Sequence, residues 1–161
     1  IDVVRQNVPY VAVDLPHTWS SWVKRILLRA DQVVITAAPD LANLRNAKNI
    51  VELVKQSRPN DAPPHLVINM ANTPKRPEIP IKDFAAALGI EPMQVIEFDC
   101  ETFGQASNNG LMIEEFNAKA KAAPQFRDMA LTLANRKEQK VEKKVSTSPL
   151  APLLEKFKLK R

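Results

Sequence analysis

A carboxylate at the end of an apolar run is the first group in this sequence placed for chemistry. Residues Tyr10–Leu15 read YVAVDL, and Asp14 stands near the end of the run, two residues before Pro16. Where a parallel strand meets its ligand, such a carboxylate can hold a magnesium ion through water, because hard cations take oxygen ligands. The same residue can instead hydrogen-bond its loop or start the next helix. Asn69, near the end of HLVINM (65–70), poses a similar choice: its amide can read a base edge or satisfy loop backbone. His17 could act as a base, yet no nucleophile with a matching partner accompanies it, and a solvated or loop-satisfying role suits it better. Cys100 is the single cysteine, so it forms no internal disulfide and has no Cys/His partners at metal-ligand spacing.

Two further patterns suit contacts better than catalysis. Trp19 and Trp22 lie three apart on a predicted helix, the spacing of core or interface anchors. Asn43, Asn46 and Asn49 recur every three residues beside Arg45 and Lys48. Asparagine is a poor helix former, so such a row is either a wet face or a polar protein–protein surface. The chain holds only three glycines, Gly89, Gly104 and Gly110, none in a G-x-x-x-x-G-K-[ST] or G-x-G-x-x-G pattern. Close backbone approach to phosphates has no loop here, and these residues alone are not expected to hydrolyse a nucleotide.

The elements that must position these residues alternate in type. Four short apolar runs, 10–15, 33–38 (VVITAA), 65–70 and 94–99 (QVIEFD), are continuous rather than alternating, as in parallel strands covered on both faces. Between them fall helical stretches. Thr18 or Ser20 can cap a helix to Ala30 with Trp22, Ile26 and Arg29/Ala30 along one side. Asp40 can cap a helix to about Ser57 whose buried stripe is Leu41, Leu44, Ala47, Val51 and Val54, with Pro59 stopping it. A short helix runs from Ile81 to Leu88 and ends at Gly89, and helices near 111–118 and 124–136 close the body. The three-proline loop 71–80 (ANTPKRPEIP) reads as stiff and extended. The order predicts an α/β fold, a mostly parallel sheet with flanking helices, with ligands outside the carboxyl ends of its strands.

Charge separates body from tail. The net +5 arises wholly in residues 137–161, where eight Lys/Arg face three Asp/Glu, so the remainder balances at 15 of each sign. A basic face for duplex nucleic acid is not indicated, and no specific nucleic-acid partner is expected. No run approaches ~18 apolar residues, so no bilayer span is expected; with one cysteine, a reducing cytosol fits best. The chain opens on Ile1, which suggests continuation upstream. Residues 137–149 read as a charged linker after a body of 1–136. In 150–161, Leu150, Leu153, Leu154 and Phe157 fall at i, i+3, i+4, i+7 among Lys156, Lys158, Lys160 and Arg161. That is a basic amphipathic helix, too short to be stable alone in water, which would fold on a membrane surface or a partner.

Together, VAVDLPHTWSSW, ADQVVITAAPDLANLRNAKNIVELV, LVINMANTPKRPEI, VIEFD and NNGLMI resemble the second half of a deviant Walker A ATPase of the MinD/ParA type. More closely they resemble the CpaE/TadZ family of Tad/Flp pilus-assembly ATPases, over about residues 1–136. The resemblance implies that Asp14 is the Walker B carboxylate, in the magnesium shell, and that Asn69 contacts adenine. Ile96-Glu97-Phe98-Asp99 stands where many members read I-P-x-D, which places Asp99 with Asn69 at the base, and Met70 replaces a common arginine. Arg45 and Asn46 fall near the family's face-to-face homodimer surface. ATP and Mg2+ are implied for a full-length protein, none for this chain alone, since the family's P-loop lies in a first half outside these residues. Its P-loop strand runs between the Walker B strand and the next, so an incomplete, strand-deficient sheet is expected. The tail (Leu153, Leu154, Lys156, Phe157, Lys158) resembles the C-terminal helix of MinD-type ATPases. It implies a cytoplasmic protein held peripherally at the inner membrane or cell pole, with Tad/Flp secretion components as partners.

Overall fold

The computed structural model of the chain describes residues 4, 6–16 and 18–135. Three strands form one parallel sheet in the order β1 (Val34–Ala37), β2 (His65–Ala71), β3 (Pro92–Glu97). The helix α1 (Ser21–Arg29) precedes β1, α2 (Leu41–Ser57) joins β1 to β2, and α3 (Ile81–Leu88) joins β2 to β3. After β3 come α4 (Cys100–Asn108), the single turn α5 (Ile113–Phe116) and α6 (Ala122–Leu133).

Local chemistry sets the ends of these helices. The Ser20 hydroxyl accepts from Val23 N–H, and an Asp40 carboxylate oxygen accepts from Asn43 N–H at 2.8 Å, each satisfying a donor that the helix leaves open. Gly89 ends α3 with φ 66°, a left-handed conformation that glycine adopts without steric cost.

Both faces of β2 are covered, which is why its sequence is almost continuously apolar. On one face Leu66 and Ile68 join Ile35 and Ala37 of β1, Ala47, Val51 and Val54 of α2, and Phe84 and Leu88 of α3. Phe84 and Ile68 are fully buried at the centre of this cluster, and each such side chain contributes about 1.5–3 kcal/mol by leaving water. On the other face Val67, Ile96 and Ala122 form a smaller cluster, with Phe103, Ile113 and Met129 against it.

Several expectations need correction. Residues 10–15 form no strand: they pair with nothing in the sheet, and only Leu15 packs on the main core. The α1 stripe turns by one residue, burying Val23 and Leu27 and leaving Trp22 exposed, because i, i+4 pairing onto the core favours the aliphatic side. Trp19 is exposed as well, so neither tryptophan is a core anchor. Leu41 is 73% exposed at the first turn of α2, outside the stripe that Ala47, Val51 and Val54 bury. Helix α4 was not anticipated. The loop after β2 is a tight turn rather than an extended segment. The charged linker and the tail residues Leu153, Leu154, Lys156, Phe157 and Lys158 lie outside the described residues, as does His17.

Candidate functional site at the carboxyl edge of the sheet

The three strands deliver their carboxyl ends to one edge, and short backbone links hold the loops there together. Ile79 N–H donates to the Pro39 carbonyl at 2.8 Å, tying the loop after β2 to the start of α2. Phe98 N–H donates to the Ala71 carbonyl at 2.8 Å, tying the end of β3 to the end of β2.

The loop between β2 and α3 is folded by Glu78. Its carboxylate accepts from Asn72 N–H and Thr73 N–H, both at 2.9 Å, and pairs with Arg76 at 2.9 Å. Bonding to the Asn72 amide first, and then to Thr73 and Arg76, holds the Glu78 carboxyl below the usual carboxylate range despite some desolvation. Arg76 also donates to the Met70 carbonyl, and its Nε is buried without a partner. The turn places Met70, Asn72 and Lys75 at φ 57°, 61° and 62°. Such conformations cost a non-glycine residue about 1 kcal/mol or more, least for asparagine, so the Glu78 and Arg76 contacts offset real backbone strain. Three prolines in ten residues signalled rigidity, whereas no periodic pattern marked the reach of Glu78 back to residue 72.

Asp40 faces this turn. Its carboxyl is held below the usual range, first by the Asn43 amide, then by the Asn43 side chain, with a smaller contribution from the Arg76 charge. Asn43 is thereby engaged as a capping partner, while Arg45 and Asn46 lie exposed further along α2.

Of the base-contact pair, Asn69 is half-buried and its side-chain oxygen accepts from Met70 N–H at 2.9 Å. Asp99 caps α4, accepting from Thr102 N–H at 2.9 Å, and its contacts with Thr102 hold its carboxyl low. The structure therefore brings Asn69 and Asp99 to the same edge, each bonded to local backbone. Asp99 lines an open cleft of about 230 Å3 with Phe98, Phe103, Gln125 and the Glu97–Lys121 ion pair, which closes at 2.5 Å. Phe103 is held edge-on to Phe126, ring centroids 6.2 Å apart, and Gln125 donates to the Val95 carbonyl. Sequence reasoning missed Lys121 and Gln125. An aspartate opening a helix at Asp99 was the available signal for α4, and α4 is what carries Phe103 to the cleft. Asp14 is exposed in the unpaired segment, next to Leu15, which packs on the main core.

The fold, a parallel α/β sheet with flanking helices, matches those of MinD and ParA-family proteins. The ParA family ATPase from Chlorobium tepidum TLS superimposes with a TM-score of 0.59 at 20% identity, covering 71% of this chain and 46% of that one. The MinD cell division protein of Aquifex aeolicus gives 0.56 at 16% identity, covering 70% and 47%. In sequence the chain is 26% identical over 133 residues to the septum site-determining protein MinD of Bacillus subtilis (strain 168), covering 81% of this chain and 48% of that protein. It spans about half the length of the relatives it matches.

Residues 25–160 match the family described as 4Fe-4S iron sulfur cluster binding proteins, NifH/frxC family, and the chain belongs to that family. The cluster in that description does not fit the residues present. A 4Fe-4S cluster takes four cysteine thiolates, and this chain offers one, Cys100, so a symmetric pair would offer two. Among the described residues no group of three or more His, Cys, Asp or Glu could hold a metal ion. A nucleotide fits in part. The cleft offers aromatic surface and polar groups to a base, whereas no glycine-rich loop in these residues cradles phosphates. No helix among the described residues is long and apolar enough to cross a membrane.

Proposed function

We propose that residues 1–136 are the base-binding and dimer-facing part of a nucleotide-dependent assembly ATPase of the CpaE/TadZ kind. The observation that carries this reading is the cleft lined by Phe98, Asp99 and Phe103 at the carboxyl edge of a parallel sheet, in a chain of the NifH/frxC family. In this reading Asn69 and Asp99 read adenine, and Asp14 belongs to the water shell of a magnesium ion. Arg45 and Asn46 meet a second copy, and ATP-dependent dimerisation localises Tad/Flp secretion components. Residues 137–149 link this body to a tail, 150–161, that holds the inner-membrane surface at the periphery or the cell pole. Phosphate binding and hydrolysis require residues beyond these 161.

Adenosine titration of the isotope-labelled chain tests the base site. Stacking at about 1–3 kcal/mol with one or two hydrogen bonds reaches about −4 kcal/mol, a Kd near 1 mM. Shifts confined to Phe98, Asp99, Phe103 and Asn69 are expected; their absence at about ten times that concentration sinks the assignment. For the tail, vesicle co-sedimentation that is unchanged on deleting 150–161 removes the membrane role.

A second reading is a non-hydrolysing scaffold of the same fold, whose partner binding would ignore Mg-ATP. A septum-placing or partition role of the MinD/ParA kind is equally compatible with the relatives. Its DNA-binding form conflicts with the charge-balanced body, and a DNA titration across salt separates it.

A further inference from the structure

The cleft beside Asp99 holds an amide whose orientation is fixed from behind. Gln125, on α6, donates through Nε2 to the Val95 carbonyl of β3 at 2.8 Å and to Gln94 Oε1 at 3.3 Å. A backbone carbonyl can only accept, so the bond to Val95 sets which end of the amide is nitrogen. Both Nε2 hydrogens are thereby engaged. The amide oxygen is left over, and among the described residues no donor meets it. Gln125 lines the cleft, so what it offers a ligand there is an acceptor.

The same polarity recurs at the start of α4. Asp99 lines the cleft too, and an ionised carboxylate only accepts. It has about four acceptor sites, of which the Thr102 N–H takes one at 2.9 Å. Lys121 brings N–H donors to the rim, and Glu97 holds its ammonium at 2.5 Å. Phe98 and Phe103 supply aromatic wall. Two acceptors carried by two helices on one aromatic-walled cleft match two N–H donors on one atom of a flat ring, which is the exocyclic amine of a purine.

We propose that Gln125 selects for a 6-amino group on the bound base, its Oε1 taking one amine N–H while Asp99 takes the other. This rests on the base-binding reading above and adds to it the residue that tells an amino purine from a keto or unsubstituted one. A keto oxygen at that position would face two acceptors. An unsubstituted ring would leave the Gln125 oxygen without its bond. Because the amide is already held by Val95, it surrenders little freedom on binding.

The test is a titration of the isotope-labelled 161-residue chain with adenosine, purine riboside and inosine, read from the amides of Phe98, Asp99 and Phe103. These nucleosides carry an amino group, a hydrogen and a keto oxygen at position 6. Adenosine should bind at least about fivefold more tightly than either of the others, as two hydrogen bonds allow. Gln125→Met keeps the length of the side chain and removes the amide. It should reduce the preference for adenosine over purine riboside to about twofold, the share left to Asp99, with purine riboside itself bound within about twofold of its original affinity. Packing of Ala122 and Met129 against Val67 and Ile96 still holds α6 in that variant, and the nucleoside series on the unaltered chain does not depend on it. Equal affinity for adenosine and purine riboside, tighter binding of inosine, or a preference that survives Gln125→Met in full overturns the proposal. Inosine preference would give the base edge to Lys121, and a surviving adenosine preference would give the amine to Asp99 alone. In all three cases the cleft still binds a base, so the base-site reading stands. Absence of cleft shifts with every nucleoside would instead remove that reading, and this one with it.

Discussion

Residues 10–15 (YVAVDL) and 33–38 (VVITAA) are near twins in sequence, yet only the second holds a strand. Both are six residues long, rich in valine and set before a proline, so intrinsic preference does not separate them. Neighbours do. Val34 to Ala37 lie in parallel register with His65 to Ile68, and Ile35 and Ala37 reach into a cluster built by α2 and α3. Residues 10–15 have no adjacent strand, and their valines stay exposed. A β-type run becomes a strand where a partner supplies both its ladder bonds and a face to pack on.

The largest effect should come from striking the twin that is buried. Ile35→Asp places an unpaired carboxylate at a 7% exposed site, and a loss of more than about 4 kcal/mol is expected, enough to unfold a domain of ordinary stability. Phe84→Ala removes the fully buried ring that closes the same cluster, for about 3–5 kcal/mol. Denaturant titration measures both. A loss below about 1 kcal/mol in either would mean that β1 is held by something other than this cluster.

These residues also show what the sequence made legible. The helices at Asp40 and at Ile81–Leu88 were readable because capping residues, periodic apolar positions and a terminal glycine all act within a few residues of one another. The strand at 65–71 was readable as a continuous apolar run, the mark of a strand covered on both faces, whereas the last strand, expected at 94–99, runs from 92 to 97 at the sheet edge with only Ile96 buried. The fate of 10–15 was not readable from its own residues, since pairing depends on a neighbour distant in sequence; only the resemblance, with a strand between 10–15 and 33–38 that lies outside these residues, implied a gap there. At the site, Asn69 and Asp99 could be named from the sequence, but their present bonds to Met70 and Thr102 depend on exact backbone geometry. Phe103 and Gln125 met at the cleft only because α4 and α6 flank the end of β3, which no local pattern states.

A middle-sized pair of predictions concerns the carboxylates that fix loops to the sheet. Asp40→Ala removes the α2 cap and should cost about 1 kcal/mol. Asp40, Glu78 and Asp99 are all held below the usual carboxylate range by bonds made in the folded state. Each therefore contributes stability that is complete above its unfolded value near 4 and lost as pH falls through its lower folded value. Stability should decline on acidification below about pH 5, less steeply in Asp40→Ala, as denaturant midpoints across pH would show. A parallel acid slope in that variant would exclude Asp40 as a contributor. Glu78→Ala should lower global stability by no more than about 1 kcal/mol while Asn72 and Thr73 amides exchange at least about tenfold faster, having lost their acceptor. Unchanged exchange would mean that the turn is held by Arg76 and its prolines.

The smallest effect should come from the other twin, and it decides the comparison. Val13→Asp introduces the same charge as Ile35→Asp into a run of the same length and valine content, but at a 44% exposed position with no ladder partner. The carboxylate stays hydrated, no cavity forms and no backbone bond is lost, so the change in stability should lie within about 0.5 kcal/mol. Denaturant midpoints of the two variants, measured side by side, give the contrast directly. If Val13→Asp instead destabilised the chain by several kcal/mol, residues 10–15 would have to be packed against apolar surface in solution. Neighbours alone would then no longer separate the twins, because both would have them.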